Sequence, residues 1–173
     1  MFAQAVCDGT PPQRLNQKQS LALDSIRQKI LEDVFTNEAD RVWTRASKKI
    51  TDPQIGNMLQ AQLQEIGQRC FIEALRNIAL ESEQFFDEDE LKIIVHVRKL
   101  DNRLSLTAEE QELLNEYNGS PLADKAKEFA SEVQPKKKEA LELMDNEFNE
   151  KFRVLVPELP GDSEEKEPAV RSP

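Results

Sequence analysis

Glycine is scarce in this 173-residue chain, with 5 in all. Gln, Glu, Lys, Leu and Ala abound instead, and these residues lose least on entering a helix. Basic residues are also in deficit, 23 Lys and Arg against 33 Asp and Glu, for a net charge of −10. Such a chain repels phosphate, so no release of counterions would drive it onto nucleic acid or an anionic membrane. No apolar run approaches the roughly 20 residues needed to cross a bilayer, so no membrane insertion is expected. There is one histidine and there are two cysteines. Zinc-ligand spacings, a Gly-rich phosphate loop, a nucleophile elbow and a dinucleotide fingerprint are all missing. No catalytic residue, cofactor or metal ligand can be named from motifs.

What is present is enough apolar residue, 38%, to bury the core of one globular domain. Helical patterning runs from residue 15 to 156, after an N-terminal arm over 1–14. Beyond Val156 the stretch "PELPGDSEEKEPAVRSP" is rich in proline and charge. It cannot bury enough to offset its ordering entropy, which predicts a disordered acidic tail over 157–173.

The expected fold is all-α, a bundle of five or six amphipathic helices. Leu23, Ile26, Ile30 and Val34, then Phe35, Ala39, Val42, Ala46 and Ile50, recur at helical spacing, as one long helix or two in tandem. Thr51 or Asp52 can cap the next helix, with Pro53 in its first turn. Its apolar face is Ile55, Leu59, Leu63, Ile66, Cys70, Ala74 and Ile78.

In "FFDEDELKIIVHVRKL" the pair Asp87 and Glu90 reads as a helix cap. The β-branched run around His96 could form a short strand. With no second strand to pair it, helix is kept. Thr107 and Glu110 form a second capping box. Leu122, Ala126, Phe129 and Val133 continue in phase through Ala140, Leu141, Met144, Phe148 and Phe152, which predicts a helix kinked near Gln134 by Pro135.

Cys7 and Cys70 suit a single disulfide or two free thiols. Bridged, they would close the loop between them at a gain of about 4 kcal/mol and require an oxidising compartment. Ala3 and Ala5 in "MFAQAVC" have the small-x-small spacing read by signal peptidase. Together these features set the expectation of a periplasmic or secreted protein, the first residues being the remnant of a cleaved signal. An ordinary flexible terminus is the other reading.

Several polar groups have plainer readings beside the functional ones. The lone His96 is more often a packed or surface residue than a base. Asp87, Glu88, Asp89 and Glu90 lack the spacing and turn glycine of a calcium loop and read as a solvated helix start. Lys136, Lys137 and Lys138 read as a solvated face paired with Glu132 and Glu139. Trp43 reads as a core aromatic, or as a partner-binding residue if exposed.

The stretch "NEYNGSPLADK" reads as a helix–helix corner. Tyr117 ends one helix, Asn118 and Gly119 can take the left-handed conformation, Ser120 caps the next helix and Pro121 fills its first turn. Within "LTAEEQELLNEYNGSPLADKAKEF", Tyr117, Ser120, Pro121 and Lys125 stand where the bacterial family called domain of unknown function 2059 has an aromatic, Ser-Pro and a Lys. The chain resembles that family over about residues 105–145. Asn118 replaces the family's second aromatic, and Ala123 its usual Gly. The resemblance implies an exported, helical bacterial protein and supplies no catalytic residue.

The function expected is therefore non-catalytic binding of a protein or peptide in the bacterial envelope, as an adaptor, inhibitor or chaperone-like bundle. Oligomeric state is open, with a dimer possible in principle. One alternative is an immunity protein that neutralises a basic toxin, suggested by the acidic charge. A second is an enzyme whose site, drawn from Asp87, Glu90, His96 and Tyr117, forms only on folding.

Overall fold

The computed structural model describes residues 15–156. Among these, seven helices and no strand occur: α1 Gln17–Asp24, α2 Gln28–Ser47, α3 Pro53–Phe85, α4 Glu88–Asp101, α5 Ala108–Asn118, α6 Pro121–Glu132 and α7 Gln134–Leu155. The all-α bundle is what the residue pattern requires. The N-terminal arm and the acidic tail lie outside the described residues.

The first periodic segment is two helices in tandem. The chain breaks at Ser25–Arg27, where Arg27 adopts φ −76°, ψ 73° and restarts the helix without a side-chain cap. That break shifts the apolar phase. Leu31 and Phe35 are buried, whereas Ile30 and Val34, which the unbroken stripe had included, are 53% and 38% exposed. A stripe read across a break carries the wrong rotation into the second helix.

The caps behave as their chemistry demands. Asp52 accepts the Gln54 N–H with Pro53 in the first turn. Asp87 with Glu90 and Thr107 with Glu110 form reciprocal capping boxes. The His96 segment is helical throughout, within α4.

Helices α2, α3 and α7 form the central bundle. Both α2 and α7 run antiparallel to α3: a short turn at 48–52 reverses α2 into α3, and Arg69–Glu147 and Glu81–Lys136 pair α3 with α7 in opposite directions. Leu59, Met144 and Phe148 are fully buried at its heart, with Leu63, Ile66, Cys70 and Ile78 around them. Gly67 leaves room for its neighbours, since a Cβ there would lie 3.5 Å from Met144 Sδ and 4.0 Å from the Ala39 Cβ.

Helices α1, α4, α5 and α6 gather at the C-terminal end of α3. Ala22, Phe86, Leu91 and Ile94 form a second cluster, on which Tyr117 and Leu122 both pack. Val97, Leu100 and Leu114 form a third. Between α6 and α7, Val133 stays in the right-handed region (φ −84°, ψ −7°), and Lys137 N–H still reaches its carbonyl. The apolar stripe therefore keeps its phase across Pro135, as a kinked helix would.

Candidate functional site

The corner at residues 117–121 is built by hydrogen bonds. Ser120 Oγ accepts the Ala123 N–H at 3.3 Å and donates to the Tyr117 carbonyl at 2.7 Å. Gly119 departs from expectation: its φ is −91°, so the turn needs no left-handed residue. The serine closes the turn on the Tyr117 carbonyl, which removes the need for a reversed backbone.

Lys125 leaves this corner to tie three elements together. Its ammonium lies 2.6 and 2.8 Å from the Glu90 carboxylate oxygens and 5.3 Å from the centre of the Phe86 ring. Phe85, Phe86 and Phe129 stack edgewise and tilted around it. A lysine held over aromatic faces and an acid is a structural clamp.

None of Asp87, Glu90, His96 and Tyr117 lines either of two hollows along α3. Asp87 caps α4, Glu90 is held by Lys125, and His96 is exposed on α4. Burial pushes the Tyr117 phenol up while the nearby Arg98 charge pulls it down. Arg98 itself is pushed down by burial and by Arg27, and its Nη1 has no hydrogen-bond partner among the described residues. Glu88 and Asp89 both pair with Lys92. Among the described residues no group of three His, Cys, Asp or Glu side chains could hold a metal ion.

Trp43 is half-buried and packs against the central cluster. The lysine run differs in its partners from the sequence reading: Lys136 pairs with Glu81 of α3 and Lys138 with Glu142, not with Glu132 and Glu139. The antiparallel neighbour supplies a carboxylate that spacing along one helix cannot reveal. Lys137 is pulled down by burial alone.

A hollow with an apolar floor lies between α3 and α7, a slot of about 520 Å³. Cys70, Ala74, Ile78 and Ala140 form its floor, and the small Ala74 and Ala140 leave the space open. Leu80 and Leu143 stand on its two rims, 44% and 51% exposed. The Lys136–Glu81 pair crosses one end, and the Arg69–Glu147 pair crosses between the helices near the other. Between them Glu73 and Glu139 face the slot, with no ion pair among the described residues. A shallower hollow of about 740 Å³ adjoins it on the outer face of α3, sharing Glu73, Asn77 and Leu80.

Cys70 is only 2% exposed, and burial pushes its thiol up. Cys7 lies outside the described residues, so the proposed bridge has one described end, at the floor of the slot. The site residues missed by the sequence reading are Leu80 and Leu143. Leu80 lies two residues after the stripe residue Ile78 and Leu143 one before Met144, both off the stripe itself. A large apolar residue off-phase on each of two neighbouring helices is the signal that would have found them.

Comparison with family models, with curated proteins and with solved structures finds no match for this chain. The class that stands on the fold is an all-α bundle with an apolar slot between two antiparallel helices.

Proposed function

We propose that this protein is a non-catalytic binding protein whose α3/α7 slot receives a helical segment of another protein. The observation that carries the reading is the open slot with Leu80 and Leu143 on its rims. In the central bundle α2 covers one side of the α3/α7 pair, and the slot is where a fourth helix would lie. Helix-in-groove recognition uses such a surface: apolar anchors at i, i+4 and i+7 enter a trough, and polar rims set orientation.

The membership in the family of domain of unknown function 2059 and the export to the periplasm belong to this proposal, whereas a Cys7–Cys70 bridge is the competing reading, because Cys70 lies at the floor of the slot. Membership and export are supported by the corner motif and the N-terminal small-residue spacing. An adaptor, inhibitor or chaperone-like role fits the slot, and the charge of −10 supports the immunity-protein variant with a basic partner.

The test is selection of displayed helical peptides against the full chain. Selected peptides should lose binding to a folded Leu80→Asp/Leu143→Asp variant. If no peptide is selected, or if those selected bind the variant equally well, the slot is not the docking surface.

A further inference from the structure

We infer that the occupant of the α3/α7 slot is a cationic amphipathic helix from another protein, an inference that rests on reading the slot as a docking surface. Three features of the slot select that chemistry.

Its floor is apolar and Leu80 and Leu143 stand on its rims, so the occupant presents leucine-like anchors. Glu73 and Glu139 face the slot without ion-pair partners among the described residues, while the ammonium of Lys136 is already neutralised by Glu81. The charge left facing an occupant is negative. Lys or Arg flanking the anchors would answer it, and like charges there would be repelled.

The length also fits. Twelve residues of α3 separate the two cross-helix pairs at Arg69 and Glu81, about 18 Å or three turns of a docked helix. Two other occupants meet the wrong charge. The chain's own segment 157–173 carries five acidic and two basic residues. A second copy docking by the same slot would bring the Glu73 and Glu139 carboxylates of both copies together.

The experiment uses two labelled 14-residue helical peptides, one of leucine and lysine and one with glutamate in place of lysine, titrated into the full chain by fluorescence anisotropy. The leucine–lysine peptide should bind at least about tenfold more tightly, a gap of about 1.4 kcal/mol, and weaken with salt. Leu143→Asp, with its helicity checked by circular dichroism, should lose that binding. A Glu73→Lys/Glu139→Lys variant, still net acidic, should lose the preference between peptides.

Equal binding of both peptides overturns the inference and leaves the docking surface standing, whereas no binding of either removes both. Unchanged preference in the charge-reversed variant means a general charge effect and overturns it. Self-association abolished by Leu143→Asp would assign the slot to a second copy. A Cys7–Cys70 bond in the unreduced protein would assign it to the chain's own N-terminal arm.

Discussion

Glu90 answers two partners at once: its carboxylate accepts the Asp87 N–H at 2.9 Å and takes the Lys125 ammonium at 2.6 and 2.8 Å. The capping box that starts α4 is thereby locked to α6. The ammonium also lies 5.6 and 5.3 Å from the centres of the Phe85 and Phe86 rings, so the clamp joins the end of α3 as well.

Replacing Lys125 separates charge from packing. Lys125→Met keeps an apolar stem and removes the charge, and about 1 kcal/mol of stability should be lost, from a part-buried ion pair and the cation–ring contacts. Lys125→Ala should cost more, because the stem's apolar contact goes too. Urea unfolding checks both. Equal losses in the two variants would mean that the stem contributes nothing.

The break between α1 and α2 is held by a buried hydroxyl pair. Ser25 Oγ donates to the Ala22 carbonyl at 2.6 Å, and Ser82 Oγ lies 3.0 Å from Ser25 Oγ. With the Ser25 proton spent on Ala22, the Ser82 hydroxyl is the donor between them. Ile26 N–H bonds to the Leu23 carbonyl instead, so Ala22 depends on Ser25. Ser25→Ala strands a carbonyl and a hydroxyl in residues that are 0% exposed and should cost about 1–3 kcal/mol. Ser82→Ala strands neither and should cost less, about 0.5–1.5 kcal/mol. Chemical denaturation of the pair would show the order, and a larger loss in Ser82→Ala would reverse the donor assignment.

The corner yields opposite signs at neighbouring residues. Ser120→Ala removes the cap on Ala123 N–H and the bond to the Tyr117 carbonyl, a loss of about 1 kcal/mol. Gly119→Ala should be neutral or stabilising by about 0.4–1 kcal/mol. Its φ of −91° suits any residue, and the nearest atoms to a new Cβ, the Asn115 and Glu116 carbonyl oxygens, are 3.8 Å away. Thermal melts of the two variants should move in different directions. A destabilised Gly119→Ala would restore the left-handed turn read from the sequence.

How far the sequence carried can be judged from these same residues. The capping boxes at Asp87 and Thr107 and the Ser120 cap were legible because a cap is a local agreement among four consecutive residues. The α3 face from Leu59 to Ile78 was legible because nothing interrupts its period. Ile30 and Val34 were misassigned because the break at Ser25–Arg27 carries no proline or glycine to announce it. The partners of Lys136 and Lys125, and the slot itself, depend on which helices become neighbours. No residue spacing encodes that adjacency, so the sequence showed Leu80 and Leu143 without showing that they line the same slot.

Acid should weaken the start of α5. The Glu110 carboxyl is held below the usual range, chiefly by the Thr107 N–H it accepts in the capping box, and by Arg103. A carboxylate depressed in the folded state stabilises that state above its unfolded value, and the contribution is lost as pH falls through the folded value. Stability should therefore decline below the ordinary glutamate range, near pH 4.3, and Glu110→Gln should flatten that decline. Residue-resolved NMR titration should place the Glu110 carboxyl below the ordinary glutamate value. Thr107→Ala leaves the backbone N–H in place, so Glu110 should stay depressed while the reciprocal half of the box is lost. A Glu110 that titrates at the ordinary glutamate value in the parent protein would show that the box does not hold in solution.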